Sequence, residues 1–277
     1  MDGSGDVKPE SHLKNVKNIL LILSGKGGVG KSSVTVQLAL TLQSQGKKVG
    51  VLDIDLCGPS IPRMFGIGHE RIYQSSQGWV PIYTDASKSI GLMSIAFLLT
   101  NPDDAVVWRG PKKNAMIKQL LDDVFWGDID YLLIDTPPGT SDEHITVAEA
   151  LRGYHPDGAV LVTTPQAVSI ADVRREVTFC RKAGLPIVGI IENMSGYVCP
   201  HCEECTNVFS SGGGRILSEQ YHIPFLGCVP IDPELTSTLE SGMNFVNKFP
   251  QSKVAGVFRT IVETLETNSQ NKLNADQ

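Results

Sequence analysis

The sequence predicts an α/β fold built on a mostly parallel, doubly wound sheet. Two observations carry this. Short apolar runs alternate with helical patterns along the 277 residues, as expected of parallel strands covered by helices on both faces. The first run, Ile19-Leu20-Leu21-Ile22-Leu23, passes into Ser24-Gly25-Lys26-Gly27-Gly28-Val29-Gly30-Lys31-Ser32-Ser33. From Gly25 to Ser32 this matches G-x-x-x-x-G-K-[ST], a strand running into a phosphate-binding loop.

Taken in order, strand candidates lie near 18–24, 48–54, 90–95, 130–135, 158–164, 186–192 and 225–229. Helical patterns fall near 30–45, 112–124, 168–183, 212–221, 232–241 and 251–267. The first is marked by Val34, Leu38 and Leu42, spaced to share one helix face. Pro165, Pro186 and Pro230 sit at element edges, where proline is tolerated. Segment 66–88 reads as a surface excursion with a short hairpin around Gly78–Tyr83. No linker or internal repeat divides the chain, so one domain is expected over 14–267, with disordered tails at 1–13 and 268–277.

Composition narrows the function classes. Apolar content of 41% supports a sizeable core, and no apolar stretch approaches the ~20 residues of a membrane span. Met1 to Glu10 is polar and acidic and lacks the apolar core of a signal peptide. Six cysteines without an export signal point to a reducing compartment, and the expected location is cytoplasmic. A formal net charge of −6 gives no electrostatic case for nucleic-acid binding.

The chemistry is expected at the carboxyl ends of the strands, where open α/β sheets bind ligands. Backbone N–H groups of Gly25, Lys26, Gly27, Gly28, Val29, Gly30, Lys31, Ser32 and Ser33 would cradle phosphates, Lys31 would reach the β/γ-phosphates, and the Ser32 hydroxyl would ligate Mg²⁺. Asp53 and Asp55 close the second strand, two residues apart, which on an extended chain places both carboxylates on one side. Alone, such a pair is a turn or helix cap; beside a complete P-loop it is a candidate nucleotide group. Asp135 closes the apolar run 130–135 in the Walker-B manner and would support Mg²⁺. Pro137-Pro138-Gly139 follows as a stiff turn. Asp142, Glu143 and His144 open the next helix, where acids suit the dipole.

Cys57, Cys180 and Cys228 are isolated and read as small buried hydrophobes. The other three form Cys199-Pro200-His201-Cys202-Glu203-Glu204-Cys205. Two thiolates three positions apart can hold one metal centre, but four are typical of zinc or iron–sulfur sites. Two copies meeting at a two-fold axis would supply four. Thiolates suit both metals, so zinc and iron–sulfur stay open on the residues alone. A thiol oxidoreductase would want the first cysteine at a helix N-terminus in a thioredoxin-like unit, whereas this pair follows a late strand.

On these motifs the chain resembles the Mrp/nucleotide-binding-protein family of deviant Walker-A ATPases, relatives of the MinD-type and nitrogenase iron-protein ATPases. The marks are Lys26 inside the P-loop, the run Asp53-Ile54-Asp55-Leu56-Cys57-Gly58-Pro59-Ser60, the switch-like Asp135-to-His144 phrase, Trp108-Arg109-Gly110-Pro111 and the Cys-x-x-Cys pair. The likeness spans roughly 14–265 and is specific to the cytosolic iron–sulfur cluster assembly scaffolds. With no cysteine before Cys57, the chain looks like the smaller member of the eukaryotic pair. The resemblance implies that Lys26 crosses a dimer interface to the other copy's nucleotide. It further implies that Asp55 orients the attacking water, that Asp53 holds Mg²⁺ through water, and that Asn193, Pro230 and Asp232 border the adenine. Cys199 and Cys202 would bind a 4Fe–4S cluster bridging two chains, with Cys205 an uncertain ligand. The implied protein is a homodimer, or a hetero-complex with the larger scaffold, using ATP to load the cluster and pass it to cytosolic and nuclear apo-proteins. The rival readings are a MinD/ParA-like positioning ATPase and a P-loop dimer with structural zinc. The positioning reading wants a basic amphipathic C-terminal helix. Here the stripe Val254, Phe258, Ile261 and Leu265 has acidic or neutral flanks, so core packing is expected of it.

Overall fold

A computed structural model describes residues 12–56, 58–68, 70–99, 108–198 and 205–275. The strands are β1 (Val16–Leu23), β2 (Val49–Asp53), β3 (Tyr73–Ser75), β4 (Gly78–Val80), β5 (Ile82–Tyr83), β6 (Ile90–Ser94), β7 (Ile129–Asp135), β8 (Gly158–Thr163), β9 (Ile187–Val198), β10 (Cys205–Thr206) and β11 (Phe225–Ile231). The helices are α1 (Lys31–Ser44), α2 (Ile61–Met64), α3 (Gly110–Asp123), α4 (Asp142–Leu151), α5 (Ala167–Ala183), α6 (Gly213–Tyr221), α7 (Pro233–Glu240), α8 (Phe245–Lys248) and α9 (Lys253–Ala275). The main sheet runs β10-β9-β8-β1-β7-β2-β6-β5, with β11 also pairing β9. Only β10 and β5 are antiparallel to their neighbours. The doubly wound parallel reading therefore holds.

β1 sits mid-sheet between β7 and β8, and its alternation feeds two cores. Leu20 and Ile22 join the layer under α1 and α9. Ile19, Leu21 and Leu23 join the layer under α3, α4, α5 and α6. A strand buried on both faces reads as a continuous apolar run, which is why it was visible. α1 is buried almost all round from Val34 to Leu42, as befits a helix enclosed by other elements. Val254, Phe258, Ile261 and Leu265 are buried in the same layer, so the α9 stripe is core.

Three expectations need correction. Residues 12 and 13 are not tail: His12–Asn15 forms a 3-10 turn and Leu13 is buried. The C-terminal boundary at 268 is also too early, because the α9 backbone continues to Ala275. The remaining parts of both expected tails, 1–11 and 276–277, lie outside the described residues. The hairpin is shifted: Tyr73–Ser75 pairs antiparallel with Gly78–Val80, while Ile82–Tyr83 joins the main sheet at β6.

Candidate functional site

The P-loop leaves β1 at Ser24 and wraps to the first turn of α1. Gly25 admits no side chain, since a Cβ would lie 2.5 Å from the Asp172 carbonyl carbon on α5. Gly28 and Gly30 both have φ of 80°, a conformation that favours glycine. Gly30 is the N-cap of α1 and no side chain caps the helix, so its first amides point where an anion is favoured. The loop lines a cavity of about 190 Å³ with Asp55, Ser60, Met64 and Pro138. Lys26 is exposed at its rim.

Asp135, at the end of β7, gathers the loop's polar side chains. Its Oδ2 accepts from Lys31 Nζ at 2.6 Å and Ser32 Oγ at 2.6 Å, and its Oδ1 accepts from Thr35 Oγ1 at 2.6 Å. Lys31 is only 6% exposed and Asp135 fully buried. Asp53 is Asp135's register neighbour on β2 and accepts from Ser94 Oγ at 2.9 Å. Burial first, and the nearby Asp135 charge second, push the Asp53 carboxyl well above the usual carboxylate range; Lys31 and the Ser94 hydroxyl pull it partly back. Two buried carboxylates with one lysine between them form a site short of positive charge. Serine and aspartate oxygens make a hard donor set that suits Mg²⁺. β2 ends at Asp53, and the Asp55 amide donates back to Asp53 Oδ1 at 3.1 Å. Asp53 and Asp55 are thus joined by a turn, not by the continued strand that the spacing suggested.

The segment after Asp135 is tied to β1. Thr136 Oγ1 donates to the Ile22 carbonyl at 2.9 Å, and the Gly139 amide donates to the Ser24 carbonyl at 2.8 Å. Ser141 then caps α4, and His144 Nδ1 accepts from the Ser141 amide at 3.2 Å, closing a capping box. Burial pushes the His144 imidazole down to about 4. With the folded value below the ordinary 6.5, this group's stabilisation is complete above pH 6.5 and is lost as pH falls towards 4. The loss is on the order of 3 kcal/mol at 1.36 kcal/mol per pH unit. Glutamine keeps the box, because it serves at the same position. Denaturant titrations at pH 7.5 and 4.5 should therefore show a smaller acid loss for His144→Gln than for the parent; equal losses would remove His144 from the acid response.

A second cavity, about 170 Å³, adjoins the first at Ser33 and is lined by Asn193, Met194, Pro230, Asp232 and Phe258 among others. Asn193 Nδ2 donates to the Val29 carbonyl at 2.9 Å, so it braces the P-loop as well as facing the cavity. The Asp232 carboxylate is the N-cap of α7, accepting from the Glu234 amide at 2.8 Å. Pro230 lies where β11 shifts register against β9. A roomier depression of about 690 Å³ around Arg152, His155 and Arg181 opens at the amino ends of the strands. It lacks the glycine loop and convergent carboxylates, and chemistry outranks size here.

Residues 26–33, 55, 193, 230 and 232 thus line two adjoining cavities, while Asp135, with Asp53 as its register neighbour, holds Lys31 and Ser32 of that lining. Thr35 and Ser94 were missed. Thr35 stands one helical turn after Lys31, a spacing the sequence does show, whereas Ser94 reaches Asp53 only because β6 lies beside β2. Cys199 and Cys202 lie outside the described residues, as does Cys57. The Cys205 backbone pairs with Val198 in β10. Cys180 is buried, and burial with the neighbouring Glu176 pushes its thiol up to about 12, in keeping with an inert core position. Cys228 is half-buried and donates to Glu192 Oε1 at 3.8 Å. Among the described residues no group of three or more His, Cys, Asp or Glu is placed to hold a metal ion, and no helix is long and apolar enough to cross a membrane.

Comparisons with known proteins agree with this geometry. Residues 15–266 match the ParA family described as NUBPL iron-transfer P-loop NTPase. The chain is 60% identical over 259 residues to the cytosolic Fe-S cluster assembly factor NUBP2 of Gallus gallus, covering 94% of this chain and 95% of that protein. It is 61% identical over 261 residues to the NUBP2 homolog of Nematostella vectensis, covering 94% and 97%. Among solved structures, it is similar to the nucleotide-binding protein of Archaeoglobus fulgidus in complex with ADP, with TM-score 0.74, 39% identity and coverage of 86% and 91%. The cell division ATPase MinD of Pyrococcus furiosus, TM-score 0.64 at 22% identity over 90% and 98%, shares the fold.

Proposed function

We infer the function from one premise, that the chain belongs to the ParA family of NUBPL iron-transfer P-loop NTPases: it is an ATPase that serves cytosolic iron–sulfur cluster assembly. The observation that carries the finer reading is an arrangement within one strand. β9 supplies Asn193 to the base-side cavity and, after Val198, runs into Cys199 and Cys202. The strand that carries the nucleotide wall thus leads in sequence into the thiolate pair.

In this reading the amides of residues 25–33 hold the phosphates, and Lys31 leaves Asp135 to face the β/γ-oxygens. Ser32 and Asp135 would hold Mg²⁺, with Asp53 behind them. When bound, the ion neutralises charge on the phosphoryl oxygens. Asp55 orients the attacking water, and Lys26 reaches the nucleotide of a second copy. Asn193 and Pro230 border the adenine, while Asp232 acts by capping the helix beside it. The cargo is a 4Fe–4S cluster held by Cys199 and Cys202 with their counterparts in a second chain, for delivery to apo-proteins; Cys205 stands by. The second chain is another copy or the larger scaffold.

Anaerobic reconstitution with iron and sulfide tests this. One four-iron cluster per two chains is expected. Cys199→Ala or Cys202→Ala should lose stable cluster while keeping ATP binding, and Cys205→Ala should keep most of it. One cluster per chain, retention in the two alanine variants, or zinc alone in freshly isolated anaerobic protein would overturn the bridging reading.

A further inference from the structure

Glu192 is fully buried one residue before Asn193, and no role in the chemistry above falls to it. Its two oxygens gather four donors from three segments. Oε1 accepts from Ser195 Oγ at 2.6 Å, the Gly212 amide at 3.1 Å and Cys228 Sγ at 3.8 Å. Oε2 accepts from the Gly214 amide at 2.5 Å. The fit at α6 is close, since a Cβ on Gly214 would lie 3.1 Å from Oε2 and 3.2 Å from the Glu192 Cβ. A buried carboxylate needs its donors, and those donors need it; removing either leaves unpaired groups at a cost well above that of a surface bond.

These donors belong to functionally distinct places. Ser195 follows Asn193 and Met194, the base-side wall, where β9 shifts register against β11, and Met194 there has φ of 56°. Gly212 and Gly214 start α6. Cys228 lies on β11, whose Pro230 lines the same cavity. A few residues on, Tyr197 and Val198 pair with Thr206 and Cys205 at the root of the cysteine segment. We propose that Glu192 is a positioning residue that ties the base-side wall of the nucleotide cavity on β9 to α6 and β11, so that nucleotide occupancy is carried along β9 to its pairing with β10. The inference rests on the nucleotide reading given above and deepens it by naming the residue through which that site communicates. The warrant is physical linkage: the Asn193–Ser195 stretch of β9 cannot shift without disturbing the carboxylate that also anchors α6 and β11.

The variant Glu192→Gln keeps one acceptor oxygen but turns an NH₂ group towards an amide donor. Ser195→Ala is the milder companion, removing one donor and leaving both backbone amides satisfied. Hydrogen exchange is followed on the full-length protein carrying no cluster, with and without MgATP. In the parent, MgATP should slow exchange both in the P-loop and at Tyr197, Val198, Cys205 and Thr206. In Glu192→Gln the P-loop response should persist at saturating MgATP, while the response at 197–206 falls at least tenfold; Ser195→Ala should lie between. ATP affinity should fall about tenfold in Glu192→Gln, and preference for ATP over GTP should narrow. A control, Glu176→Gln, removes another fully buried acid on α5 and should leave all of these unchanged. A parent with no response at 197–206, or a Glu192→Gln variant with the full response, would overturn the proposal. Neither result depends on iron or sulfide, so the cluster reading stands or falls separately.

Discussion

In the Lys26→Ala variant, ATP hydrolysis is expected to fall by about a thousandfold or more, the scale of a cation supplied to a phosphoryl transition state from across an interface. Folding should be untouched, because Lys26 is exposed at the cavity rim and contributes no core packing. ATP affinity should change little, because Lys31 and the loop amides remain. The contrast with Lys31→Ala is the diagnostic part: that variant deletes a buried cation and should weaken nucleotide binding itself. Turnover against protein concentration supplies the check, since the parent's specific activity should rise with concentration as dimers form. Normal turnover in Lys26→Ala would mean that no residue acts in trans, and the dimeric mechanism would fail.

Asp135→Ala should have the second large effect, and on binding instead of turnover alone. The change strips a partner from Lys31 Nζ, Ser32 Oγ and Thr35 Oγ1 together. Breaking a buried pair by removing one member costs about 3–5 kcal/mol, so denaturant stability without nucleotide should drop by about that much. Magnesium should then no longer improve ATP affinity, a loss on the order of a hundredfold measured by calorimetric titration with and without the ion. Asp55→Ala is the comparison: it should bind MgATP as the parent does yet hydrolyse it slowly, since its loss removes a water-positioning group. If Asp135→Ala retains magnesium-dependent affinity, the ion is held elsewhere and the Walker-B role is wrong.

Much of this was legible in the sequence, for reasons that differ by element. The P-loop reads out because its tight wrap puts Gly28 and Gly30 at φ of 80°, a conformation that favours glycine. Central strands read out because burial on both faces makes them uniformly apolar. α4 is only half-legible: its first turn buries His144 and Thr146 while exposing Ile145, which scrambles the hydrophobic period. The extension of α9 past residue 267 is polar, and a helix already nucleated continues at little cost without an apolar face. Ser94 and Glu192 were illegible as site residues because their roles depend on pairing. Ser94 matters only once β6 lies beside β2, and Glu192 only once Gly212 and Gly214 are folded against it. Asp53 is legible by position, but its raised carboxyl follows first from burial and then from Asp135 standing beside it across the sheet. No local pattern encodes such distances.

The enclosure of α1 has a consequence for how the chain is made. This helix leaves the ribosome well before α8 and α9, which cover its outer side. Its parent strand β1 must likewise wait for β7 and β8 to be synthesised before it has any partner in the sheet. At translation rates of about 5–20 residues per second, the two hundred or so residues between α1 and α9 leave an apolar helix uncovered for roughly 10–40 s. Nascent chains of this protein should therefore be prominent clients of ribosome-associated chaperones, and truncations that remove α9 should yield insoluble product while the P-loop sequence stays intact.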